Sequence, residues 1–151
     1  MVCGWCRYTH KNLSTQEING EMTMRKRKTT RLLPTQADIE NFEMFRPMLD
    51  KIANEVRELS KKKQDGALNE LKVKMINRVL TQIKDLLKNE SSVQFLDLLD
   101  TDILPTNSDA ILIISQYDAA LSAFHEKYYG YDGESHRWFT QEEPGTKEEE
   151  G

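Results

Sequence analysis

The chain has 151 residues and a net charge of −4, with 38% hydrophobic and 30% charged residues. That length fits one domain with its own core, and so polar a balance predicts that part of the chain is unpacked tail. No run is long and apolar enough to cross a membrane, since even Ala110–Ile114 is followed at once by Ser115 and Gln116.

Charge divides the chain into three. Residues 1–33 carry seven Lys/Arg against two Glu, residues 34–130 carry 12 basic against 16 acidic, and residues 131–151 carry two basic against seven acidic. The expected organisation is a flexible basic N-terminal arm (1–33), a helical bundle domain (34–130) and an aromatic, then acidic, C-terminal tail (131–151). The first residues show no apolar run with a small-residue cleavage site. The expectation is a soluble, cytoplasmic or otherwise intracellular protein. Translation from Met22 or Met24 in place of Met1 is an open alternative.

Within the arm, Cys3 and Cys6, with His10 four residues on, have a spacing used by metal ligands. A structural zinc site takes four ligands, and the other histidines, His125 and His136, are far along the chain. Two free thiols and no metal are the expectation. Arg25, Lys26, Arg27, Lys28 and Arg31 form a basic cluster able to neutralise phosphates without reading sequence. No aromatic is interleaved, so base stacking is not indicated. The competing role is a solubilising arm.

Pro34-Thr35 opens the core, and Thr35 with Asp38 predicts a capping box. Ile39, Phe42 and Phe45 share a face of a short helix over about 36–45, which Pro47 is expected to end. A second helix over about 47–63 carries Leu49, Ile52, Val56 and Leu59 at heptad spacing. After the turn Gln64-Asp65-Gly66, a third helix over about 67–88 repeats it with Ile76, Val79, Ile83 and Leu86. Leu68, Leu71, Met75, Leu80 and Leu87 widen that stripe. So short a turn makes these two helices antiparallel neighbours.

Val93–Leu99 reads as a short fourth helix, and 100–107 as a loop broken by Pro105. The longest element is a helix from Ser108, its expected cap, to Tyr129, with Gly130 as its stop. Ala110, Ile113, Ile114, Tyr117, Ala120, Leu121, Phe124 and Tyr128 share one face. Ile111, Leu112, Ala119 and Ala123 cover a second face, leaving only a narrow polar stripe. The expected fold is therefore all-α, a compact bundle of four to five helices around this buried C-terminal helix, with disorder at both ends. No hairpin is expected.

Chemistry is sparse. Glu40/Glu43, Glu55/Glu58 and Asp97/Asp100 are spaced for one helix face, and with Asp102 they could hold magnesium for a metal-dependent hydrolase. Solvated faces give the same spacing, and Arg57 and Lys61–Lys63 beside Glu55 and Glu58 favour ion pairing. His125 has no spaced partner, and no Gly-rich phosphate loop or activated serine is present. No catalytic, cofactor or metal residue is assigned. Tyr128, Tyr129, Tyr131, Trp138 and Phe139 gather five aromatics in twelve residues. They either cap the bundle or present a partner-binding patch. The reading is a non-catalytic interaction or regulatory module with a protein partner. It is expected to self-associate as a homodimer, because the short helices leave apolar stripes uncovered. Nonspecific nucleic-acid contact through 25–31 is the alternative, and no membrane partner is expected.

Overall fold

A computed structural model describes residues 32–142. These contain three α-helices: α1 (Gln36–Lys62), α2 (Glu70–Leu86) and α3 (Asn107–Tyr128). A 3-10 turn spans Ser91–Phe95, and a two-stranded antiparallel hairpin, β1 (Tyr129–Tyr131) and β2 (His136–Trp138), follows α3. The described residues are mostly helical, but they do not form an all-α bundle of four to five helices. Three of the expected elements differ, each for a physical reason.

The first concerns Pro47, which does not end a helix; α1 runs through it for 27 residues. The N-terminus of α1 is as expected: Thr35 Oγ1 accepts from the Asp38 N–H at 3.2 Å, and the Asp38 carboxylate accepts from the Thr35 N–H at 2.9 Å. Beyond it, Ile39, Phe42 and Phe45 before the proline and Leu49, Ala53 and Val56 after it are all buried. Pro47 itself is exposed, so the N–H it lacks is missed on the solvent side. Burial on both sides of the proline outweighs one lost backbone bond.

The second is the fourth helix. Leu96–Asp100 is irregular, entered through an extended Leu96, and only Ser91–Phe95 turns. Leu96 and Leu99 are 2% and 3% exposed, while Phe95 and Leu98 are 67% and 42% exposed. Side chains of α2 satisfy the irregular backbone. Lys84 Nζ donates to the Leu96 carbonyl at 2.6 Å, and Asn77 bonds both the N–H and the carbonyl of Leu99.

The third is the tail. Residues 131–142 turn back onto the helices, with Tyr129 paired to Trp138, Gly130 to Arg137 and Tyr131 to His136. The Asp132 carboxylate accepts from the Glu134 and Ser135 N–H groups at 2.8 and 2.9 Å, and pairs with Arg137 Nε at 2.6 Å. Gly133 takes a φ of 112°, a conformation that costs a residue without Cβ nothing. The return strand then reaches the start of α1: the Gln141 N–H donates to the Pro34 carbonyl at 3.0 Å, and Glu142 accepts from the Gln36 N–H at 2.7 Å, at the positive end of the helix.

α3 sits against α1 and α2 on one face, where Ala110, Ile114, Tyr117, Ala120, Leu121, Phe124 and Tyr128 are buried. It is not surrounded. Leu112 is 63% exposed, and Ala119 and Ala123 are exposed too, because two partner helices cannot cover both apolar faces. Its cap is Thr106, not Ser108: Thr106 Oγ1 accepts from the Asp109 N–H at 3.1 Å. The buried Asn107 ties this end to the α1–α2 turn. Its N–H donates to the Gly66 carbonyl and its side-chain amide to the Lys63 carbonyl, each at 2.8 Å.

Candidate interaction groove

The heptad seams of α1 and α2 do not close on each other. The buried line of α1 after Leu49 is Ala53, Val56 and Ser60, one residue round the helix from Ile52 and Leu59, which are only half-buried. α1 leans chiefly on α3 and less on α2. Its larger side chains therefore wall an opening on the side of the hairpin away from α3. α2 does the same from the other side: Val73, Ile76, Val79, Leu80 and Ile83 are buried, while Leu71 and Met75 are 66% and 61% exposed.

Between them lies an open groove of about 670 Å³. Ile52, Val56 and Leu59 from α1 and Ile76 and Val79 from α2 form its apolar lining, with Met48 and Met75 at its lips. Lys51 and Glu55 of α1 and Lys72 of α2 supply its polar edge. Lys72 Nζ and Glu55 Oε1 approach to 3.9 Å across the mouth. Beyond the groove, Met44 lies one turn before Met48 and is 50% exposed, and Leu71 lies one turn before Met75, so an apolar side chain at i, i+4 continues the line of each lip.

The partner-binding residues expected from the sequence lie elsewhere, at the end of α3 and in the hairpin. Tyr128 is 3% exposed and belongs to the core. Its hydroxyl donates to Glu90 at 2.7 Å, and Lys127 pairs with the same carboxylate at 2.7 Å. Burial, the largest influence, raises the Tyr128 phenol above its ordinary pKa. Trp138 lies edge-on to Phe42 at 5.0 Å and to Tyr129 at 5.3 Å, and Phe139 donates its N–H to the Tyr128 carbonyl at 2.7 Å. Of the five aromatics, Tyr131 alone is fully exposed, at 61%. The segment folds back and caps the end of α1 and α3. Arg25, Lys26, Arg27, Lys28 and Arg31 lie outside the described residues, as do Cys3, Cys6 and His10.

Glu58 and Asp100 are engaged locally. Glu58 pairs with Lys61 at 2.6 Å, and that hydrogen bond holds its carboxyl below the ordinary value. Asp100 accepts from the Ile103 and Asp102 N–H groups at 3.0 and 2.7 Å, which lowers its pKa too. It caps the turn into α3. Among the described residues no group of three or more His, Cys, Asp and Glu side chains gathers to hold a metal, and no helix is long and apolar enough to cross a membrane. His125 stacks on Tyr129 at 4.7 Å and Phe42 at 5.9 Å, with the Trp138 edge at 5.1 Å. Beside it, Arg46 ties α1 to α3 through Asp118 at 2.9 Å and Ser122 at 3.1 Å.

The groove was missed because the heptad pattern gave the seam to Ile52 and Leu59. The signal that could have found it is the pairing of Ala53 and Ser60 with Met48 and Met75: small residues where the helices approach, flexible ones where they part. The chain matches no known family model, curated protein or solved structure.

Proposed function

We propose that the protein is a small interaction module whose binding surface is the groove between α1 and α2, and that the groove receives an apolar helical face of a protein partner. The observation that carries this reading is the groove itself: an open apolar trough between two antiparallel helices, with methionines at both lips. From Pro47 to Leu59 it follows α1 for about 18 Å, some three turns of helix. A partner helix with apolar residues at i, i+3, i+4 and i+7 fills a trough of that shape. Methionine side chains are unbranched and polarizable, and adapt to the shape of what they cover. The charges stand at the edge, where they orient a partner without being desolvated.

Methyl NMR of the full chain labelled at methionine tests it. The probe is an amphipathic model peptide of Leu, Glu and Lys in helical register, with a scrambled peptide of the same composition as control. The methyl signals of Met48 and Met75 are expected to shift with the first peptide and not the second, while those of Met1, Met22 and Met24 stay in place. Shifts confined to the N-terminal methionines, or none in a protein that runs as a single chain, would remove the groove as the binding surface.

A further inference from the structure

We infer that the occupant of the groove is the same α1–α2 face of a second copy, related by a two-fold axis, so that two hairpins close into a four-helix bundle. This rests on reading the groove as a protein-binding surface and adds what fills it. Three features of the face argue for a copy of itself.

The face supplies both halves of an interlocking contact. Its lips carry Met48 and Met75, which project at 44% and 61% exposure, and its floor is lined by Val56, Ile76 and Val79, which are nearly covered. A two-fold rotation brings the lips of each copy over the floor of the other. A closed pair of this kind needs the same patch to be complementary to itself. Packing of α1 and α2 against a second hairpin is also the arrangement in which Ile52 and Leu59 regain the seam that their heptad spacing implies.

The charges fit a copy of the same face. Lys51 and Lys72 at the edge are joined by Glu55, so the rim carries both signs. A strongly basic or acidic partner would leave one sign unmatched. A second copy brings one glutamate and two lysines, so across the axis Glu55 of each can meet Lys51 of the other.

The size approaches that of a standard interface. From Met44 to Leu59 the face is about 24 Å long, and two helices make it about 20 Å wide. That is about 500 Å² in projection, before side-chain relief is counted, against the roughly 800 Å² of accessible surface that each partner gives to a standard interface.

Size exclusion with light scattering on the full chain, from low to high micromolar, decides the matter. The expected mass is twice the 17.6 kDa of one chain at the upper concentrations, falling toward one chain on dilution. Met75→Glu, at an exposed position where folding is not at stake, should give a single-chain mass throughout with unchanged helical circular dichroism. Leu112→Glu, equally exposed but on α3, should still pair. A mass of one chain at every concentration, or a dimer untouched by Met75→Glu, overturns the inference. The peptide experiment separates this failure from that of the broader reading. A monomer whose Met48 and Met75 methyls still respond to the amphipathic peptide keeps a groove for a foreign helix, and a monomer that does not respond loses both.

Discussion

Asn77 holds Leu99 in the way a neighbouring strand would. Its side-chain oxygen accepts from the Leu99 N–H at 2.9 Å, and its amide donates to the Leu99 carbonyl at 2.8 Å. One side chain of α2 thus gives the irregular 96–100 segment the backbone pairing that no strand supplies, and Leu96 and Leu99 can be buried without a helix. Asn77→Ala leaves both groups of Leu99 without this partner and should lower stability by about 1–3 kcal/mol. Asn77→Asp keeps the acceptor and loses the donor, so it should fall between. Urea unfolding followed by circular dichroism measures this. A midpoint unchanged in Asn77→Ala would mean that water replaces the side chain at no cost.

Pro47 occupies an exposed position inside α1 and gives the helix no N–H there. Alanine restores the bond to the Glu43 carbonyl and removes the ring. Proline inside a helix costs about 3 kcal/mol relative to alanine, and one already accommodated should return part of that. Pro47→Ala is therefore expected to stabilise by about 1–3 kcal/mol, read as a higher melting temperature. A lower one would show that α1 uses the proline, for instance to splay its second half from α2.

What could be read in the sequence was local. The Thr35–Asp38 box, the turn at 64–66 and the buried face of the last helix follow from residues a few positions apart, and the structure keeps all three. What could not be read depended on distant partners. Pro47 stays helical because α1 is packed on both sides of it, and 93–99 is not a helix because Asn77 and Lys84 offer its backbone something else. Heptad spacing named Ile52 and Leu59 as seam residues, but α3 draws Ala53 and Ser60 inward and leaves those two at the groove. The hairpin was the exception. Asp132-Gly133 between Tyr131 and Trp138 is a short-range turn signal, hidden by the expectation that an unpacked tail begins at Tyr131.

Trp138 is the clasp of that hairpin. Its ring meets Phe42 of α1 at 5.0 Å, His125 of α3 at 5.1 Å and Phe124 at 6.3 Å. Trp138→Ala removes the covering from three rings and should cost about 3 kcal/mol. Phe124→Ala, with Phe124 itself only 4% exposed, should cost as much or more, about 3–5 kcal/mol. The two changes touch one cluster, so the double variant should cost less than their sum. Chemical denaturation of the four proteins measures the coupling. Full additivity would mean that the hairpin packs on α1 and α3 without sharing their core.

Tyr117 is fully buried on α3, and its hydroxyl has no hydrogen-bond partner among the described residues. A buried hydroxyl left unpaired costs about 1–3 kcal/mol, so Tyr117→Phe, which keeps the ring, should leave the protein equally or more stable at neutral pH. The same burial, helped by the negative charge of Asp97, pushes the phenol up from 10.0 to about 12. The unfolded chain then loses this proton at a lower pH than the folded one. The contribution is fully present below pH 10 and is lost as pH rises toward about 12, with a slope of up to about 1.4 kcal/mol per pH unit from this group. The Tyr128 phenol, also raised by burial, adds to the alkaline loss in both proteins. The difference between wild type and Tyr117→Phe therefore isolates Tyr117. Melting temperatures measured from neutral pH into that window should diverge, with the phenylalanine variant losing less as pH rises. Parallel curves, or a variant less stable at neutral pH, would place a hydrogen-bond partner on the hydroxyl and show that the α3 core is wetter at Tyr117 than its burial implies.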